Sequence, residues 1–219
     1  MGQKVHPIGL RLGIVEDWRS RWYAAKGAFG PSLVQDFRIR QYIKQRYGFA
    51  GIARVDIERI RGKVRVILHC ARPGVIIGRR GQEVIQLSSD LAEIAGTEVD
   101  VDIKEINRPE LEAQLVAESI AEQVEKRAPY RRTMKRCAEL TRQAGAKGIK
   151  IKIAGRLAGA EIARSERLVV GQIPLHTLKV RIDYGYAVAK TIYGTIGVKV
   201  WINRGTAEEQ KETQDGSHA

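Results

Sequence analysis

Apolar and polar residues alternate along three stretches of the first half of the chain. Ala53, Val55 and Ile57 interleave with Arg54, Asp56 and Glu58; Val64, Val66 and Leu68 repeat the pattern, and Val99, Val101 and Ile103 repeat it again. A period of two puts one face of a strand in a core and the other in water, so three half-buried strands are predicted. Gly62 joins the first two as a hairpin. Between the second and third, Val84, Leu87, Leu91 and Ile94 recur at helical spacing until Gly96 stops them. Upstream, Pro31 and Ser32 begin a helix that Ser32 and Gln35 can cap as a pair, with Leu33, Phe37, Ile43 and Tyr47 as a rough apolar face and Gly48 as its end. Residues 1 to 30 show no helical period, and their Trp18, Trp22 and Tyr23 suggest a segment ordered against a partner.

The second half is built from other patterns. Asn107 can cap a helix that has Pro109 in its first turn and Glu110 at the third position, with Leu111, Leu115, Ile120 and Val124 as its buried stripe. Pro129 permits a break and a new first turn, and a helix from Tyr130 to Ala144 follows with Met134, Cys137, Ala138 and Thr141 on one side. Ile149, Ile151 and Ile153, then Val180 and Ile182, then Val198, Val200 and Ile202 alternate with polar partners, which reads as a sheet with one wet face. The expected fold is α+β: a three-stranded sheet with helices on one face, then a second two-layer domain with two helices on a roughly four-stranded sheet. The expected boundaries are an arm over 1–16, a first domain over 17–106, a second over 107–205 and a disordered tail over 206–219, where Glu208, Glu209, Glu212 and Asp215 stand without a large apolar anchor.

Charge narrows the partners. Lys and Arg number 38 against 25 Asp and Glu, a formal net charge of +13, and such an excess favours a polyanion through release of condensed counterions. Nucleic acid leads over membrane, because no run of about 18 apolar residues exists, the start MGQKVHPIGL lacks an apolar signal core, and no strongly basic amphipathic helix stands at a terminus. A cytosolic protein is expected. Cys70 and Cys137 form no C-x-x-C pair and read as reduced structural thiols, while His6, His69, His176 and His218 have no metal-ligand spacing. Neither a metal nor any cofactor is predicted.

The candidate chemistry is cationic. In Arg72–Ile85, RPGVIIGRRGQEVI, Val75, Ile76 and Ile77 run into Gly78-Arg79-Arg80-Gly81 and then into helix. Two glycines let a phosphate approach the backbone, Arg79 and Arg80 supply charge, and the helix offers unpaired N–H groups. Alone, G-x-x-G is equally a tight turn between helices. In its order of helix, two strands, short helix, loop, helix and strand it resembles the prokaryotic type II K homology (KH) module, whose loop clamps single-stranded nucleic acid, and Arg72 joins that site. Further RNA contacts are expected from Lys4, His6 and Arg11 in the arm, from Arg38, Arg40 and Lys44 on the first helix, and from Arg156 and Arg164 in a stretch rich in small residues. Lys126, Arg127, Arg131, Arg132, Lys135 and Arg136 fall within eleven acid-free residues. Their i,i+4 pairs repel by a few tenths of a kcal/mol each, a cost that a bound polyanion removes. A merely hydrated basic face is the plain alternative.

The run Lys4-Val5-His6-Pro7-Ile8-Gly9-Leu10-Arg11-Leu12-Gly13, together with 155–166, Pro174–Leu178, Asp183-Tyr184 and Tyr193–Trp201, resembles the third-protein family of the bacterial small ribosomal subunit over nearly the whole chain. That resemblance implies a structural constituent of the subunit head that binds 16S rRNA and neighbours small-subunit proteins ten and fourteen, with two and five as further candidates. It also implies that Arg131, Arg132, Lys135 and Arg136 line the channel through which mRNA enters and help to unwind structured messages. A small-molecule substrate, a membrane and a homo-oligomer are not expected. Two other classes fit the sequence less well. An autonomous helicase or nuclease would need a Walker A loop, but Ile57 stands where Gly62-Lys63 would require the first glycine, and no carboxylates group as a two-metal site. A free KH regulator would need neither the arm nor the second domain.

Overall fold

The computed structural model describes residues 4–60 and 62–206. They form two compact units, one holding residues 18–107 and the other the described residues up to Asp17 together with those from Arg108 onward. In chain order the elements are α1 (Pro7–Arg11), β1 (Ser20–Arg21), α2 (Lys26–Tyr47), β2 (Ile52–Ile60), β3 (Lys63–Cys70), α3 (Pro73–Ile77), α4 (Gln82–Ala95) and β4 (Val99–Glu105). They continue as α5 (Ala113–Glu125), α6 (Tyr130–Gln143), β5 (Gly148–Gly155), β6 (Arg164–Gly171), β7 (Val180–Thr191) and β8 (Gly194–Thr206).

The unit at 18–107 has the KH order of elements. Its sheet runs β1-β2-β3-β4, with β2 and β3 antiparallel and β3 and β4 parallel. Two-residue β1, parallel to β2, adds a strand to the three expected. Ile39 and Ile43 of α2, Leu87 and Leu91 of α4 and Val66 and Leu68 of β3 are wholly buried in one core; each such side chain contributes roughly 1.5–3 kcal/mol. The first long helix begins at Lys26, well before Ser32, and carries Pro31 inside it. Gly27, Gly30 and Pro31 look like breakers in sequence, yet tertiary ties hold the early turns: Trp22 packs on Phe29 at 5.3 Å and donates to Asp36 at 2.7 Å, and Arg59 donates to the Ser32 carbonyl at 3.1 Å.

The other unit is a four-stranded antiparallel sheet, β6-β5-β8-β7, with α5 and α6 packed on one face. The stripe of α5 is Ala113, Val116, Ala117, Ile120, Ala121 and Val124; Leu115 is only half-buried. Small side chains bring α5 close to β7, where a Cβ on Gly185 would collide with the backbone of Ala113. Asn107 does not cap this helix. Asp183 of β7 accepts from the Ala113 amide at 2.7 Å instead, a cap delivered from 70 positions away. The arm, expected without helical structure, forms α1, capped by the His6 ring accepting from the Gly9 amide at 3.4 Å. Strand β6 is the element that alternation did not single out, because Leu168, Val169 and Val170 form a continuous apolar run. Apart from Thr206, which ends β8, the expected tail lies outside the described residues.

Candidate nucleic-acid interface

The loop after α3 has a backbone that only its sequence permits. Gly78 sits at φ 68°, where a Cβ would collide with Glu83, and Gly81 sits at φ 75°. Between them Arg80, at φ 57°, also adopts the left-handed region. The result leaves Arg79 and Arg80 exposed at the start of α4, with exposed Arg72 just before α3. All five residues predicted for this site therefore share one loop and its approach. Val75, Ile77 and Ile85 are exposed beside it, 38%, 41% and 71% accessible, and make an apolar shelf next to the cations. Ile85 was legible only as an apolar residue off the stripe that buries α4. Glu83, in the first turn, accepts from the Tyr47 hydroxyl at 3.4 Å and places a carboxylate at the helix end that a phosphate would approach.

Helix α6 turns Thr133, Met134, Cys137, Ala138 and Thr141 inward, so Arg131, Arg132, Lys135 and Arg136 face outward and are exposed. With Glu139, Glu166 and Arg167 these cations line a cleft of about 710 Å³. They are not equivalent. Arg131 donates to Glu166 through Nε at 3.1 Å and Nη2 at 2.8 Å, and the Tyr130 hydroxyl donates to the same carboxylate at 2.8 Å. Arg131 and then Tyr130 hold the Glu166 carboxyl down at about 2, and the guanidinium of Arg131 is raised in return. Glu166 was missed in sequence because it lies 35 positions from its partner. Arg164 donates to the Tyr130 hydroxyl at 3.2 Å and extends the same cluster.

The remaining predicted RNA contacts divide by their hydrogen bonds. Arg11, expected to meet RNA, is fully buried; it donates to the carbonyls of Val180 at 2.7 Å, Thr177 at 3.0 Å, Leu175 at 3.1 Å, Pro7 at 3.1 Å and Pro174 at 3.3 Å. It is an internal clamp. Arg40 likewise ties α2 to the sheet through the carbonyls of Val55 and Arg19 and the Ser20 hydroxyl. Arg156 closes its own loop, donating to Ala160 at 2.9 Å and Tyr193 at 3.2 Å. His6 faces Tyr184 edge-on at 4.8 Å. Lys4, Arg38 and Lys44 are exposed. Among the described residues no cluster of His, Cys, Asp or Glu could hold a metal, and no helix is long and apolar enough to cross a membrane. Burial raises both thiols, Cys70 and Cys137, above the ordinary value.

Comparison with known proteins gives this geometry a family. Residues 38–111 match the KH domain and residues 120–202 match the family described as ribosomal protein S3, C-terminal domain. The small ribosomal subunit protein uS3 of Desulforudis audaxviator is 52% identical over 99% of both chains. Those of Thermodesulfovibrio yellowstonii and Rhodopirellula baltica are 52% and 51% identical over 95% and 98% of this chain, and over 96% and 93% of their own. The chain belongs to the uS3 family of small ribosomal subunit proteins.

Proposed function

We propose that this protein works in the head of the bacterial small subunit, where it holds 16S rRNA and presents the outer face of α6 to incoming mRNA. Family membership carries the coarser role of a cytoplasmic structural component of the small subunit that binds RNA. The observation that supports the finer reading is the outward row of Arg132, Lys135 and Arg136, with Arg131 beside it, on a helix whose other side is core. Cations that hold a single strand by its phosphates stabilise it relative to the duplex, while translocation supplies the work. Such contacts are directed at the backbone and carry little sequence information. Through the G-x-x-G loop, Arg79 and Arg80 would clamp a further RNA segment, and small-subunit proteins ten and fourteen are the proposed protein neighbours. The test is translation by ribosomes carrying Arg131→Ala, Arg132→Ala and Lys135→Ala together. Slower passage through message hairpins is expected, with unstructured messages and subunit assembly near normal; equal slowing on both templates refutes the role.

A further inference from the structure

The sheet of the second unit has two faces of different chemistry. Ile149, Ile151 and Ile153 of β5 and Val198, Val200 and Ile202 of β8 join the core with α5 and α6. Alternate positions project the other way. There the sequence puts Lys150 and Lys152 on β5, Arg167 on β6, Lys190 on β7 and Lys199 on β8. Tyr184, Tyr186 and Trp201 share this face, and no Asp or Glu occupies an outward position on β5, β6 or β8, nor on β7 from Tyr184 to Lys190.

The register sets the cations side by side: Lys152 pairs with Arg167 on one flank and Lys199 on the other, and Lys199 pairs in turn with Tyr186. Like charges directly opposite across strands destabilise a sheet unless something neutralises them. Lys150 records that field. Burial first, then the nearby cations Lys4, Arg167 and Lys152, pull its ammonium down to about 8. One end of the face is already covered, since the His6 ring of the arm meets Tyr184 at 4.8 Å and Trp201 is only 9% accessible. The other end is open. Tyr186 is 46% accessible and lies against Gly197, where a Cβ would stand 3.8 Å from its ring and hydroxyl. Gly197 pairs with Ala154, so the floor beside the ring is made of small residues that let a flat ligand approach the sheet.

We propose that this open face is an RNA-binding platform separate from the G-x-x-G loop and meeting the α6 cleft only at Arg167 on the edge strand, on which an unpaired base stacks on Tyr186 while phosphates lie along Lys152 and Lys199. A row of cations alone would suit an acidic peptide equally well. The half-exposed phenol ring seated on a glycine favours RNA, because every base offers a π-face to such a ring. Tyr186, Lys152 and Lys199 lie outside the α6 cleft, so the platform does not depend on α6 handling the messenger.

The test uses the full chain carrying Arg79→Asp, Arg80→Asp, Arg132→Ala and Lys135→Ala, which weaken the other two surfaces. The probe is a dodecauridylate containing 4-thiouridine, read by anisotropy and by mass-spectrometric mapping of photoadducts. Adducts at or beside Tyr186 are expected. Tyr186→Ala should weaken binding by about 5-fold to 150-fold, the range for loss of one base–aromatic stack, and Tyr186→Phe should restore it. Lys152→Gln with Lys199→Gln should reduce the log–log salt slope by about 1.4, at about 0.7 per phosphate contact. Circular dichroism before and after confirms folding, and Tyr186→Leu, which removes the ring but keeps an apolar side chain, serves where Tyr186→Ala does not fold. Adducts confined to other surfaces, or Tyr186→Ala binding as tightly as the parent, overturns the proposal. So does a polyglutamate peptide that displaces the probe and itself binds equally well with and without the Tyr186 ring.

Discussion

Arg11 of the arm and Arg132 of α6 are both cations in acid-free stretches, and both read as RNA contacts in the sequence. The fold separates them. Arg11 is wholly buried and donates to the carbonyls of Pro7, Pro174, Leu175, Thr177 and Val180, three of them from the loop that leads into β7 and one from its first residue. Arg132 stands on the outward face of its helix, exposed, on the rim of the α6 cleft. A guanidinium carries five donors in a fixed fork, so it can serve as the organising centre for a loop whose carbonyls lack strand partners, or as a phosphate ligand. The difference teaches that an arginine's role follows the acceptors the fold brings to it, and charge density along the chain does not report those.

The largest expected effect would break this comparison if it failed. Arg11→Ala leaves three loop carbonyls and those of Val180 in β7 and Pro7 in α1 without this donor, and a loss of about 3 kcal/mol of stability is expected in urea unfolding of the purified protein. Arg11→Lys should recover less than half of it, because an ammonium cannot reproduce the fork. Arg132→Ala should change stability by no more than about 0.5 kcal/mol. Equal losses from Arg11→Ala and Arg132→Ala would mean that the arm is not an internal element.

A second pair of groups sharpens the inward side. Asp183 accepts from the Ala113 amide at 2.7 Å and pairs with Arg204 at 3.0 Å, which also reaches Glu112 at 2.7 Å. Asp183→Ala removes the cap of α5 and half of that ion-pair set, with an expected cost of about 2 kcal/mol. Asn107→Ala, at the position where local rules put the cap, should stay within about 0.5 kcal/mol. Thermal unfolding of the two variants side by side decides which residue starts the helix. A larger loss from Asn107→Ala would reinstate the local cap.

What the sequence made legible and what it hid follow from range. The strands Ile52–Ile60, Lys63–Cys70 and Val99–Glu105 were visible because period-two burial is written in neighbouring residues, and α4 because its stripe ends at Gly96. The left-handed turn at Gly78–Gly81 was visible because few other residues accept those angles. The early turns of α2 were hidden: Gly27, Gly30 and Pro31 disfavour helix locally, and Trp22 and Arg59 reverse that preference from outside the helix. Arg11, Asp183 and Glu166 were hidden for the same reason, since their hydrogen-bond partners lie 163 to 169 positions away for four of the Arg11 bonds, 70 for Asp183 and 35 for Glu166. Cations are countable in a sequence; the carbonyls and carboxylates that engage them are not.

The smallest effect tests the boundary inside the outward face itself. Arg131 shares the face with Arg132, yet Glu166 holds it with two hydrogen bonds, so it is intermediate between the clamped arginine of the arm and the open ones of α6. The carboxyl of Glu166 lies at about 2, below its ordinary 4.5. A depressed carboxylate contributes stability above its unfolded value, and that contribution is lost as pH falls from about 4.5 to about 2. Glu166→Gln should therefore lower stability near neutral pH and flatten the acid limb within that window, so that the two proteins converge toward its acid end. It should also release Arg131 for one more phosphate, steepening the log–log salt slope for single-stranded RNA by about 0.7. Titration of the Glu166 carboxyl by NMR in the parent and in Arg131→Ala checks the cause directly, with the midpoint moving up toward 4.5 once the guanidinium is gone. A midpoint already in the ordinary range in the parent would mean that Arg131 is as open as Arg132, and the outward face would then be a single class of cation.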